Sequence, residues 1–84
     1  MPGTIREALQ TPAQKKLSYV ETQITEMEAI SIRNEVDIYI NKNAEWEDHE
    51  KETVDTKIKE LEKQNKTLAK ALKALNKLQS ELTK

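Results

Sequence analysis

The chain has no cysteine and no phenylalanine, one glycine, two prolines, one tryptophan and two tyrosines. Without cysteine there is no disulfide framework, and one histidine in 84 residues cannot supply the sets of four ligands that structural zinc requires. With no Phe and 36% hydrophobic residues, a large globular core is excluded. Chains this small that lack disulfides and metals generally depend on oligomerisation. No apolar run approaches the roughly 18 residues of a membrane span, and Met1-Pro2-Gly3-Thr4 leads into charged residues rather than the apolar stretch of a secretory signal. A soluble, cytoplasmic protein without membrane association is expected. The single Gly is Gly3, so a glycine-rich phosphate loop is missing, as are a nucleophile elbow and a His-acid cluster. Thin helices do not enclose a water-excluding pocket. No enzymatic activity, cofactor or metal is expected.

What is present is a long, regular pattern. Val54, Ile58, Leu61, Leu68, Leu72, Leu75 and Leu82 are separated by steps of three and four, with Asn65 and Gln79 in the two remaining places. This is a heptad repeat with Ile58, Asn65, Leu72 and Gln79 at a and the other five residues at d. Such a seam needs a second helix to cover it, from this chain or from another. The expected architecture is all-α: a coiled coil with a zipper helix over 44–83 and a shorter N-terminal helix over 12–28, forming one unit over 1–84. The oligomerisation seam is Val54, Ile58, Leu61, Asn65, Leu68, Leu72, Leu75 and Leu82.

The N-terminal half is less uniform. Thr4 and Glu7 form a candidate capping box, with Ile5 and Leu9 on one face behind it in the short segment 1–11. Thr11-Pro12-Ala13-Gln14 is a second helix start, with Pro at the first helical position and Gln14 placed to complete a box with Thr11. Leu17, Val20, Ile24 and Met27 then keep 3-4-3 spacing. Beyond Met27, Ile30 and Ile32, then Val36, Ile38 and Ile40, alternate at a period of two. Two readings of 29–43 stand side by side. One is a small β-hairpin over 29–40, with Arg33-Asn34-Glu35 as its loop and β-branched strands. The other is a helix that continues, carrying its seam through Ser31 and Asn34. Asn43 is a good N-cap for the last helix, followed by acids that suit its positive end. Trp46 lies off the seam and is expected to pack against the preceding segment. Ile30, Ile32, Val36, Ile38, Ile40 and Trp46 form a candidate second contact region. A fold-back near residue 42 would bring Ile24 near Glu60 and Leu17 near Leu68, competing with other copies for the Leu stripe.

Residues 54–82 resemble the dimerising half of basic leucine-zipper transcription factors, including the Asn at a that fixes register in parallel pairs. Where that family carries its DNA-reading basic region, this chain has Glu45-Trp46-Glu47-Asp48-His49-Glu50, which phosphates would repel. Nucleic acid is therefore not an expected partner. Charge also opposes parallel pairing: residues 43–60 hold seven acids and three bases, and 61–84 hold two acids and six lysines. Antiparallel alignment sets opposite signs together, although exposed pairs contribute only about 0–1 kcal/mol each. Lys59, Lys63, Lys66, Lys70, Lys73 and Lys77 occupy b and f, a solvated stripe without interleaved aromatics for base stacking. His49 among acids is a lone exposed histidine rather than a metal site.

The expected function is non-enzymatic self-association: a scaffold, adaptor or small structural component that forms a homo-oligomer, with a further protein partner through the zipper as an option. Helix, β-hairpin, helix is also the layout of prefoldin-type chaperone subunits, which the chain resembles in architecture if 29–40 are strands. A regulatory protein that offers its Leu stripe to a partner's helix is a third reading.

Overall fold

The computed structural model describes residues 11–84, so the Thr4 to Glu7 box with Ile5 and Leu9 lies outside the described residues. Two helices account for nearly all of these: α1, Pro12–Asn43, and α2, Asp48–Leu82, packed against each other.

Helix α1 starts where Thr11 caps it. The Gln14 amide donates to Thr11 Oγ1 at 3.1 Å, and the Thr11 amide donates to Gln14 Oε1 at 2.8 Å. Two free amides of the first turn are thereby satisfied, while Pro12 at the first helical position removes a third. The helix does not stop at residue 28. It runs through 29–40, so this segment is helix rather than a β-hairpin, and no strand forms among the described residues. The layout behind the likeness to prefoldin subunits is therefore not present. The reason lies in the spacing: Leu17, Val20, Ile24, Met27, Ser31, Asn34, Ile38 and Asn41 follow steps of three and four without a break. The polar members of this line find partners, as described below, so the helix can bury them.

The connection between the helices also departs from expectation. Asn43 does not cap the second helix; it is the last residue of α1, and its Nδ2 donates to the Tyr39 carbonyl at 2.8 Å. Residues 44–47 form the link, and α2 begins at Asp48 rather than at residue 44. Glu47 stands at the N-cap, with its amide donating to Glu50 Oε1 at 3.3 Å, and Asp48 and Glu50 place negative charge in the first turn. Trp46 determines where the break falls. Its indole Nε1 donates to the Asn41 carbonyl at 2.8 Å, and the Ala44 amide takes the Ile40 carbonyl at 2.9 Å. These two bonds occupy carbonyls of the last α1 turn that have no partner within the helix.

The register follows from one pair. Asn34 Nδ2 donates to Asn65 Oδ1 at 3.0 Å, so these residues lie level on helices that run in opposite directions. Ile24 is ten residues before Asn34, which sets it level with about Leu75 rather than with Glu60, about 20 Å away along the axis at 1.5 Å per residue. No helix among the described residues is long and apolar enough to cross a membrane.

Candidate interaction surface

The inner seam joins the two helices. On α1, Val20, Ile24, Asn34 and Asn41 are buried and Leu17, Met27, Ser31 and Ile38 half-buried. On α2, Val54, Ile58 and Leu61 are buried, and Asn65, Leu68, Leu72, Leu75 and Leu82 are half-buried. Every residue of the expected oligomerisation seam thus lies on the side of α2 covered by α1, most completely near the link.

Midway along the seam lies a polar layer. Asn34 is 2% exposed, and besides Asn65 its Nδ2 reaches Gln64 Oε1 at 3.3 Å. Asn65 Nδ2 in turn donates to the Ser31 carbonyl at 3.2 Å. Asn41, the other buried polar residue, donates to the Asp37 carbonyl at 2.7 Å. Among the described residues no buried side-chain nitrogen or oxygen lacks a partner. In the parallel zippers that residues 54–82 resemble, an Asn at an a position pairs with its own copy. Asn65 pairs instead with Asn34 of the same chain, a residue that the hairpin reading places in a loop and the continuing-helix reading places in the seam.

The opposite side of α1 is a second, unfilled seam. Ser18, Thr22, Thr25, Ala29, Ile32, Val36, Tyr39 and Asn43 also advance in steps of four and three, none is charged, and all are exposed. Ile32 is 61% exposed, Val36 52%, Tyr39 68% and the adjacent Ile40 53%. All large apolar side chains exposed among the described residues belong to α1. Three of its polar members are already bonded along the helix: the hydroxyls of Thr22 and Thr25 donate to the carbonyls of Ser18 and Glu21, each at 3.0 Å, and Asn43 Nδ2 to that of Tyr39. They can be covered without stranding a donor, which removes much of the usual cost of burying a hydroxyl.

The six residues expected to form a second contact region are distributed over four places. Ile32, Val36 and Ile40 lie on this outer face, Ile38 is half-buried in the inner seam, and Trp46 is half-buried beneath the end of α1. Ile30, 36% exposed, borders a groove between the helices with Glu60, Lys63, Gln64, Thr67 and Leu68. The small residues Ser18, Thr22, Thr25 and Ala29 were missed, although their uncharged 3-4 spacing was visible in the sequence.

The outer face of α2 differs in kind. Lys59, Lys63, Lys66, Lys70, Lys73 and Lys77 are all exposed, a basic strip with no apolar side chain to anchor a partner. At the start of α2, ligand atoms of Glu47, His49 and Glu50 lie within 4.8 Å of one another. His49 Nδ1 contacts Glu47 Oε2 at 3.4 Å, and Glu50 is engaged in capping, so helix-start chemistry accounts for the cluster. No protein family, characterised protein or solved structure shows a significant match to this chain, and the functional argument rests on its own residues.

Proposed function

We propose that the protein is a non-enzymatic assembly component, a scaffold or adaptor built as a two-helix coiled coil, that binds through the outer face of α1. One observation carries this reading: a continuous uncharged stripe, exposed over seven helical turns, in a chain in which 35% of residues are charged. Contiguous exposed apolar surface of this kind marks interaction sites on soluble proteins. The Leu stripe of α2, facing α1, supplies the rigidity that presents the surface rather than the surface itself.

Urea unfolding of Ile32→Glu and Val36→Glu, at a concentration where the parent is monomeric, tests the reading. If the stripe is a free docking surface, each substitution changes unfolding stability by less than about 0.5 kcal/mol, the usual range for exposed positions. A loss of several kcal/mol in either variant, the cost of forcing a charge into a covered site, would show that the stripe is already filled within the chain. The reading would then be wrong.

A further inference from the structure

The outer stripe of α1 has a polarity of size. Its N-terminal half is small, with Ser18, Thr22, Thr25 and Ala29, and its C-terminal half is large, with Ile32, Val36 and Tyr39. Two such stripes laid parallel would set small on small and large on large, leaving gaps at one end and clashes at the other. Laid antiparallel about a two-fold axis between Ala29 and Ile32, they mesh. Ala29 then faces Ile32, Thr25 faces Val36, and Thr22 faces Tyr39 of the other copy. A self-complementary patch of this type is what a two-fold interface demands.

Charge agrees with size. Counting 100° per residue, Arg33 and Glu26 flank the same edge of the stripe. Under the antiparallel register, Arg33 of one copy comes within two residues, about 3 Å along the axis, of Glu26 of the other, and the symmetry produces this pair twice. Along the other edge, Glu21 approaches Lys42 in the same way. Glu28 and Glu35 approach each other along this same edge, a like-charge contact that offsets part of the gain but is outnumbered by the opposite-charge pairs. In a parallel two-fold pair opposite edges of the stripe meet, and neither the Arg33 to Glu26 nor the Glu21 to Lys42 pair can form.

We propose that the occupant of the outer stripe is a second copy of this chain, docked antiparallel through α1, so that two helix pairs join back to back in the order α2, α1, α1, α2. This rests on the reading of the stripe as a docking surface. The stripe is about 38 Å long, from residue 18 to residue 43 at 1.5 Å per residue, and one helix wide. Such a strip is smaller than the roughly 800 Å² per partner of standard interfaces, so the dimer is expected to be concentration-dependent.

The absence of cysteine from the chain makes the test direct. Light scattering across a concentration range reads the mass, and mild oxidation of single-cysteine variants reads the orientation. Antiparallel docking brings residue 18 beside residue 43 of the other copy and holds the two copies of residue 43 about 38 Å apart. Ser18→Cys mixed with Asn43→Cys is therefore expected to cross-link in high yield, with each variant alone giving little product. Val36→Glu is expected to reduce dimer formation at least tenfold, while helicity and the unfolding midpoint, both read at a concentration where the parent is monomeric, stay unchanged. A chain that remains monomeric at millimolar concentration overturns the proposal but leaves a docking surface for another protein, because the urea comparison above is independent of mass. Efficient self-linking of Asn43→Cys would indicate a parallel pair and would also overturn it.

Discussion

The polar layer at Asn34 and Asn65 permits a quantitative test of what holds the two helices in register. Asn34→Leu removes two hydrogen bonds, those from Nδ2 to Asn65 Oδ1 and to Gln64 Oε1. Asn65→Leu also removes two, the one it accepts from Asn34 and the one it donates to the Ser31 carbonyl. The double substitution removes three, because the Asn34 to Asn65 bond is shared. Each bond contributes about 1 kcal/mol net, so each single variant loses about 2 kcal/mol of polar interaction and the double variant about 3. Leucine at each site adds apolar burial, but that gain belongs to each site separately and largely cancels from a double-mutant cycle. A coupling of about 1 kcal/mol should therefore remain. Urea unfolding followed by circular dichroism, at one fixed protein concentration for all four proteins, measures it. For a domain of this size 1 kcal/mol corresponds to about 4–8 °C in Tm, which is readily resolved. Coupling within about 0.3 kcal/mol of zero would mean that the two side chains do not interact, and the register assigned from them would have to be abandoned.

Three further outcomes follow from the helix ends and the inner seam. Trp46→Phe keeps the ring but deletes the bond to the Asn41 carbonyl, and should cost about 1 kcal/mol in urea unfolding; no change would show that the indole does not hold the link. Thr11→Ala removes the α1 cap and should cost about 1 kcal/mol, with faster amide exchange confined to the first turn of α1. Leu61→Asp places an unpaired charge in the buried part of the seam and should cost several kcal/mol, enough to abolish cooperative unfolding. A Leu61→Asp variant that melts like the parent would contradict the packing of α2 on α1.

The C-terminal half of this fold was legible because α2 has one apolar face. Val54 to Leu82 repeat in a single line and the lysines take the opposite side, so the period is unambiguous. Helix α1 is apolar on two opposite faces, and this leaves the sequence of 29–40 readable either as a hairpin or as a continuing helix. Residues two apart on a helix are separated by about 200°, so Ile38 in the inner seam and Val36 and Ile40 on the outer face produce the same alternation as a strand. The sequence also contained the evidence against the hairpin, in the unbroken 3-4 line from Leu17 to Asn41. That line became interpretable only with the partner of Asn34 known, since an asparagine in a seam is tolerated when another side chain across the interface satisfies it. The start of α2 was misplaced for a related reason: Asn43 has the chemistry of an N-cap, but a bond between Trp46 and the Asn41 backbone has no sequence signature.

The link itself has one more consequence. No residue between 11 and 84 has positive φ, and neither glycine nor proline stands at 44–47, so the bend is held by side-chain and capping contacts rather than by a backbone that cannot be otherwise. If Trp46 lets go, Ala44 to Glu47 can turn helical, and residues 12–82 become one rod of about 105 Å. Two such rods, crossed head to tail, would rebuild the Asn34 to Asn65 contact between chains instead of within one. The two forms share nearly all their bonds, so the balance between them depends on concentration and on a handful of atoms at the hinge. Small-angle scattering would separate them at once, since the folded pair is 60 Å long and the exchanged form is nearly twice that.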